Sequence, residues 1–165
     1  MRFLILSLAA LAATEAQAEG FAVHDLSTVA EEASTALGAG FIHKAEPGRV
    51  TLFCSGCKGG PMVDIKIGRQ TDGTEQRVRS GQTSMSDLEK LCRAKDPACS
   101  LTELKVSPAV GWITNWSMGP MIGSTAIILR DGDLLTIRSI ADDADTARGN
   151  AEALVESVSP KVIGP

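Results

Sequence analysis

Residues 124–140 read Ser-Thr-Ala-Ile-Ile-Leu-Arg-Asp-Gly-Asp-Leu-Leu-Thr-Ile-Arg-Ser-Ile: two β-rich apolar runs, 124–130 and 134–140, meeting at Asp131-Gly132. Asp-Gly supplies the two positive-φ positions of the tight turn whose twist matches paired strands, so these runs form a β-hairpin. A second hairpin is written into residues 41–45 and 50–54. They flank Glu46-Pro47-Gly48-Arg49, where proline presets one turn angle and glycine permits the next. A two-residue Pro47-Gly48 turn sets Glu46 opposite Arg49 and His43 opposite Leu52. Two tight hairpins make the sheet antiparallel, because parallel neighbours need long crossovers.

The remaining elements extend that frame. Residues 62–67 alternate Val63, Ile65 and Ile67 with Asp64 and Lys66, a strand with one buried face. Further strands are predicted at 101–106 and 110–116. Apolar residues Leu26, Val29, Ala30, Ala33 and Leu37 recur at helical spacing, with Thr28 and Glu31 at capping-box separation and a glycine stop at 38–40. Ser86 and Glu89 mark a second capping box for a helix carrying Leu88, Leu91 and Cys92 inward, ended by Asp96-Pro97. A closing helix over 143–158 places Ala144, Ala147, Ala151, Leu154, Val155 and Val158 on one stripe, with Asp142, Asp143 and Asp145 at its positive end. The expected class is α+β, an antiparallel sheet of about six to seven strands covered by three helices. The polar stretch 68–81, with Asp72-Gly73 but no apolar alternation, is expected to be an exposed loop or hairpin bearing Arg69, Arg77 and Arg79.

Residues 1–18 have the pattern of a secretory signal: Met1-Arg2, an apolar run 3–13 too short to span a bilayer, and small residues at Ala16-Gln17-Ala18. Residues 19–165 are then the folded domain, and its expected location is the periplasm or the medium. Removing the leader takes away one arginine and one glutamate and leaves the formal net charge at −4. That sign excludes a nucleic-acid binder, whose affinity comes from neutralising phosphates. The mature chain carries no further apolar run of spanning length.

In an oxidising compartment Cys54, Cys57, Cys92 and Cys99 are read as two disulfides, with all three pairings open on sequence alone. Catalytic constellations are missing: there is no GxSxG, HExxH, Walker or GxGxxG pattern, and the only imidazoles are His24 and His43. His24, close to the mature N-terminus, is expected to be solvated and flexible. If the cysteines are reduced, Cys54, Cys57 and Met62 form a soft donor set suited to Cu(I), and the hairpin register brings His43 to the same sheet face as Cys54. Asn115-Trp116-Ser117 is a glycosylation sequon relevant only in a eukaryotic secretory pathway. Trp112 and Trp116 share one strand face and are expected as core or cover.

The order of elements, with its last hairpin running from Ala126 through Asp131-Gly132 to Ile137 and a closing helix ending at Ser157-Val158, resembles the Mog1/PsbP-like α/β fold. That resemblance implies a non-catalytic binding or assembly module; the partner expected for an exported chain is a protein of the cell envelope, and no cofactor is expected. A second resemblance is to thioredoxins: Val50-Thr51-Leu52-Phe53 runs into Cys54-Ser55-Gly56-Cys57-Lys58, and residues 124–158 give strand, turn, strand and helix. It implies a thiol-disulfide oxidoreductase using Cys54 and Cys57. That chemistry places Cys54 at a helix N-terminus, where the dipole stabilises the thiolate. Here Gly59-Gly60-Pro61 and an alternating strand follow the motif instead.

Overall fold

The computed structural model describes residues 20–165, so the leader predicted at 1–18 lies outside the described residues. A 3₁₀ turn at Leu26–Val29 leads into α1 (Ala30–Leu37), followed by β1 (Ile42–Glu46), β2 (Arg49–Phe53), β3 (Met62–Arg69), α2 (Thr74–Arg79) and α3 (Met85–Arg93). Then come β4 (Ser100–Leu104), β5 (Val110–Met118), β6 (Met121–Arg130), β7 (Asp133–Ala141), α4 (Ala144–Ser157) and α5 (Ser159–Ile163). The strands form one antiparallel sheet of seven in the order β1-β2-β3-β7-β6-β5-β4. The expected α+β class and sheet size are those observed. Both predicted hairpins have the predicted register: Glu46 pairs with Arg49, His43 with Leu52, and Arg130 with Asp133. The one long-range junction is β3 against β7, which joins the N-terminal meander to the C-terminal one.

The core lies on one face of the sheet. Val50, Leu52, Val63, Ile65, Ile113, Ala126, Ile128, Leu135 and Ile137 point there, alternate residues of five strands. They meet Ala30 and Ala33 of α1 and Ala151, Leu154 and Val155 of α4. Alanine on both helices lets the layers approach closely. The α4 stripe is buried as predicted from Ala147 onward, although Ala144 is exposed in the first turn. Asp143 caps α4 by accepting from the Thr146 amide at 2.8 Å.

Several local expectations are corrected. Stretch 68–81 is not a loop: β3 continues to Arg69 and α2 follows. Asp72 starts that helix by accepting from the Thr74 amide at 3.0 Å, and Gly73 adopts a left-handed conformation, so the dipeptide opens a helix rather than a hairpin. The first helical segment is capped by Asp25, which accepts from the Ser27 amide, not by a Thr28–Glu31 box. The second capping box is Ser84 with Asp87, two residues ahead of the predicted one. Leu91 points to solvent, 66% exposed, because α3 flanks the edge strand β4 rather than lying over the core. The predicted solvated tail is also ordered. Phe21 is buried in the core, its amide donates to Asp133 at 2.8 Å, and His24 Nε2 contacts the same carboxylate at 2.8 Å.

Candidate functional site

Sheet alternation gives every strand a second set of side chains, and on the face opposite the core much of that set is uncovered. At one end Trp112 and Leu129 are buried where α2 packs against β5. α2 is fixed there by Glu75, whose carboxylate accepts from the Asp131 and Gly132 amides of the β6–β7 turn, both at 3.0 Å, and from Arg79 Nε at 2.8 Å. Burial is the largest influence on Glu75 and pushes its pKa up. The Gly132 amide, Arg79 and the Asp131 amide together outweigh it and hold the carboxyl below its ordinary value.

At the opposite end the strand register lines up a continuous apolar row. Ile42 pairs with Phe53, Phe53 with Met62, Met62 with Ile140, Ile140 with Gly123, and Gly123 with Trp116. Ile42, Phe53 and Met62 are 56%, 40% and 40% exposed, and Met118 extends the row at 60%. With strands about 4.8 Å apart, six strands make a stripe roughly 24 Å long. Trp116 closes its far end: the six-membered ring of the indole occupies the place that a Cβ on Gly123 would take, and Nε1 donates to Thr125 Oγ1 at 2.9 Å. Only glycine lets the indole lie on the neighbouring strand.

One register step inward, the row Lys44, Thr51, Asp64, Arg138, Thr125 is polar, and beyond it lie Arg49, Lys66 and Thr136. Asp64 is buried, and its Oδ1 accepts from Arg49 Nε at 2.8 Å, Arg49 Nη2 at 2.6 Å and Thr51 Oγ1 at 2.8 Å. Burial pushes its pKa up most strongly, yet Arg49 and Thr51 overcome this and keep it below the ordinary aspartate value. Trp116, Thr125, Arg138, Asp64, Lys66 and Thr136 enclose a cleft of about 310 Å³.

The cysteines fall as two short-range pairs: Cys54 with Cys57, Cα atoms 5.3 Å apart, and Cys92 with Cys99, 5.8 Å apart. The first closes the end of β2 beside the apolar row. Residues after Cys57 turn directly into β3, with the Cys54 amide donating to Pro61 O. The helix N-terminus that a thioredoxin-like Cys54 needs is therefore replaced by a strand. Nor do the four soft-metal candidates converge. Cys54 and Cys57 are joined to each other, Met62 is registered with outward-facing Phe53, and Cys54 follows Leu52 on the core side. His43 lies exposed on the edge strand β1. Among the described residues, no group of three or more His, Cys, Asp or Glu could hold a metal ion. Asn115 of the sequon is tied into the sheet, accepting from Ser124 Oγ at 3.0 Å.

The apolar row and its polar neighbours were not anticipated from sequence. The available signal was one large apolar residue in an outward position on each of five strands, which only the register assembles into a stripe. No protein-family model matches the chain, and no curated protein matches it. The fold and this face define a class by themselves: an antiparallel α+β protein with helices packed on its core face and an amphipathic opposite face. No helix among the described residues is long and apolar enough to cross a membrane.

Proposed function

We propose that this chain is an exported, non-enzymatic accessory module that binds another component of the cell envelope through the uncovered sheet face. The observation that carries this reading is the contiguous row Ile42, Phe53, Met62, Ile140 and Trp116, because soluble proteins seldom leave aligned large apolar side chains in water unless a partner covers them. The leader-like N-terminus and the paired cysteines support an oxidising destination. The resemblance of the element order to Mog1/PsbP-like binding and assembly factors leans the same way.

The test is site-specific photo-crosslinking in intact cells, with the crosslinker at Phe53 and, as a control on the helical side, at exposed Glu31. A discrete adduct with one envelope protein from Phe53 and none from Glu31 is expected. Equal labelling from both positions, or none from Phe53, refutes the assignment of this face.

A further inference from the structure

Within the open face, the cleft between β3, β7, β6 and β5 has the makings of a ligand site rather than a mere dent. Its apolar wall is Trp116, held by Gly123 behind it and by the hydrogen bond to Thr125. A flat surface fixed in advance loses little freedom when something stacks on it. Its charges are one carboxylate against two cations. The carboxylate, Asp64, is already bonded to Arg49 and Thr51, so its charge is spoken for. The cations are different. Among the described residues Lys66 and Arg138 have no acidic group within ion-pair distance, a property they share with Lys58, Arg77, Lys95 and Lys105, but of these six only Lys66 and Arg138 line this cleft beside Trp116; Lys66 acts on Asp64 through its charge without pairing with it. The two are diagonal neighbours on adjacent strands, since Lys66 pairs with Thr136 and Asp64 with Arg138. Both line the same cleft, and Arg138 offers the planar fork suited to a carboxylate.

We propose that this cleft binds a carboxylate carried beside a flat apolar group, with the ring against Trp116 and the carboxylate between Arg138 and Lys66. The inference rests on the open face being the working surface of the protein and adds the chemistry that surface recognises. The volume, about 310 Å³, admits a side-chain-sized group. The same chemistry occurs in a free aromatic acid and in a polypeptide segment where an acidic residue adjoins an aromatic one.

The test uses the ¹⁵N-labelled, oxidised protein and follows the Trp116 indole N–H, with the indole of buried Trp112 as internal reference. Titration with 3-phenylpropanoate should shift Trp116 and the amides of Thr125, Thr136 and Arg138 saturably and leave Trp112 in place. The neutral isostere 3-phenylpropanamide should bind at least about tenfold more weakly, which is the change expected when the anion is lost. Arg138→Gln and Lys66→Gln, both at exposed positions and so compatible with folding, should each weaken binding roughly two- to fivefold. Equal binding of acid and amide, shifts located elsewhere, or unchanged affinity in both variants overturns the proposal. A second arm compares the free acid with the peptide acetyl-Phe-Glu-amide. Tighter peptide binding assigns the group to a polypeptide partner, and tighter binding of the acid assigns it to a small molecule. Photo-crosslinking at Phe53 traps weak contacts as well as tight ones, so adducts without carboxylate binding would refute the cleft and leave the face as a partner surface, and carboxylate binding without adducts would refute the face as a partner surface and leave the cleft as a small-molecule site.

Discussion

Removal of the Glu75 carboxylate should loosen the β6–β7 turn and α2 together. The side chain accepts two main-chain amides across 56 and 57 residues of sequence, so its loss strips partners from a turn that no local interaction replaces. A hydrogen bond to a charged group contributes about 1.5–3 kcal/mol. Gly132 is half-buried and loses the full amount, whereas the amide of exposed Asp131 recovers part of it from water. Arg79 is itself partly exposed, and its ion pair with Glu75 adds only about 0–1 kcal/mol. Glu75→Ala should therefore destabilise by about 2–4 kcal/mol. At roughly 2–4 °C per kcal/mol for a chain of this size, Tm falls by about 4–16 °C. Glu75→Gln keeps one acceptor oxygen and should lie between the two. The folded-state pKa is below the unfolded one, so this stabilisation is complete above the unfolded carboxyl pKa of about 4.3 and disappears as pH falls through the folded value. Thermal unfolding followed by far-UV circular dichroism at pH 7 and pH 3 checks both points. A Tm change under about 1 °C at pH 7, or a gap between wild type and Glu75→Ala that is as wide at pH 3, would refute the reasoning.

Gly123→Ala should expel the Trp116 indole from its seat, destabilising by about 1–3 kcal/mol and red-shifting tryptophan emission; an unchanged spectrum contradicts the packing described. Replacing Cys92 and Cys99 together by serine opens a short loop that the chain-entropy relation values at about 2–3 kcal/mol, measurable as a lower urea midpoint; equal midpoints would show that α3 and β4 hold together without the link. Arg49→Ala takes from the buried Asp64 its ion pair and two hydrogen bonds, leaving Thr51 and the charge of Lys66 to oppose burial. The Asp64 titration, read from its carboxyl ¹³C shift, should therefore move to higher pH than in the wild type, with a fall or no change counting against the network.

How far the sequence reveals this molecule depends on the range of the interactions involved. The hairpins at Pro47-Gly48 and Asp131-Gly132 are legible to the residue because turn chemistry and a period of two are local properties. The Asp72-Gly73 pair shows the limit. The same dipeptide that closes a hairpin elsewhere opens α2 here, and the deciding contact is Glu75 with a turn 56 residues away. His24 is a similar case. Near the start of the fold it reads as part of a tail, yet the tail is held by Asp133, a buried residue of β7. The capping box slips by two residues because Ser84–Asp87 and Ser86–Glu89 both satisfy the spacing, and local pattern alone does not choose between them. The apolar row is the hardest to see. Its members come from β1, β2, β3, β7 and β5, and the pairing of Met62 with Ile140 depends on the β3–β7 junction, which no short-range signal specifies.

Magnitudes decide what such a face can do. Full burial of a large apolar side chain is worth about 1.5–3 kcal/mol, and Ile42, Phe53, Met62 and Met118 have only around half of their surface still to cover. Covering all four then yields about 3–6 kcal/mol, while association itself costs an estimated 4–15 kcal/mol in lost freedom. The apolar row alone does not hold a partner at low concentration. Stable binding requires further contacts, and the nearest unsatisfied ones are Arg138 and Lys66, one and two register steps away. A complex built this way depends on both rows, so its affinity should fall when salt screens the cations, while an association made by the apolar row alone would be indifferent to salt. Measuring the partner's Kd between 50 mM and 500 mM NaCl, concentrations chosen to bring the Debye length from roughly 14 Å to about 4 Å, separates the two. A flat salt profile would assign the binding energy to Ile42, Phe53 and Met62 and leave the cationic row without a role in docking.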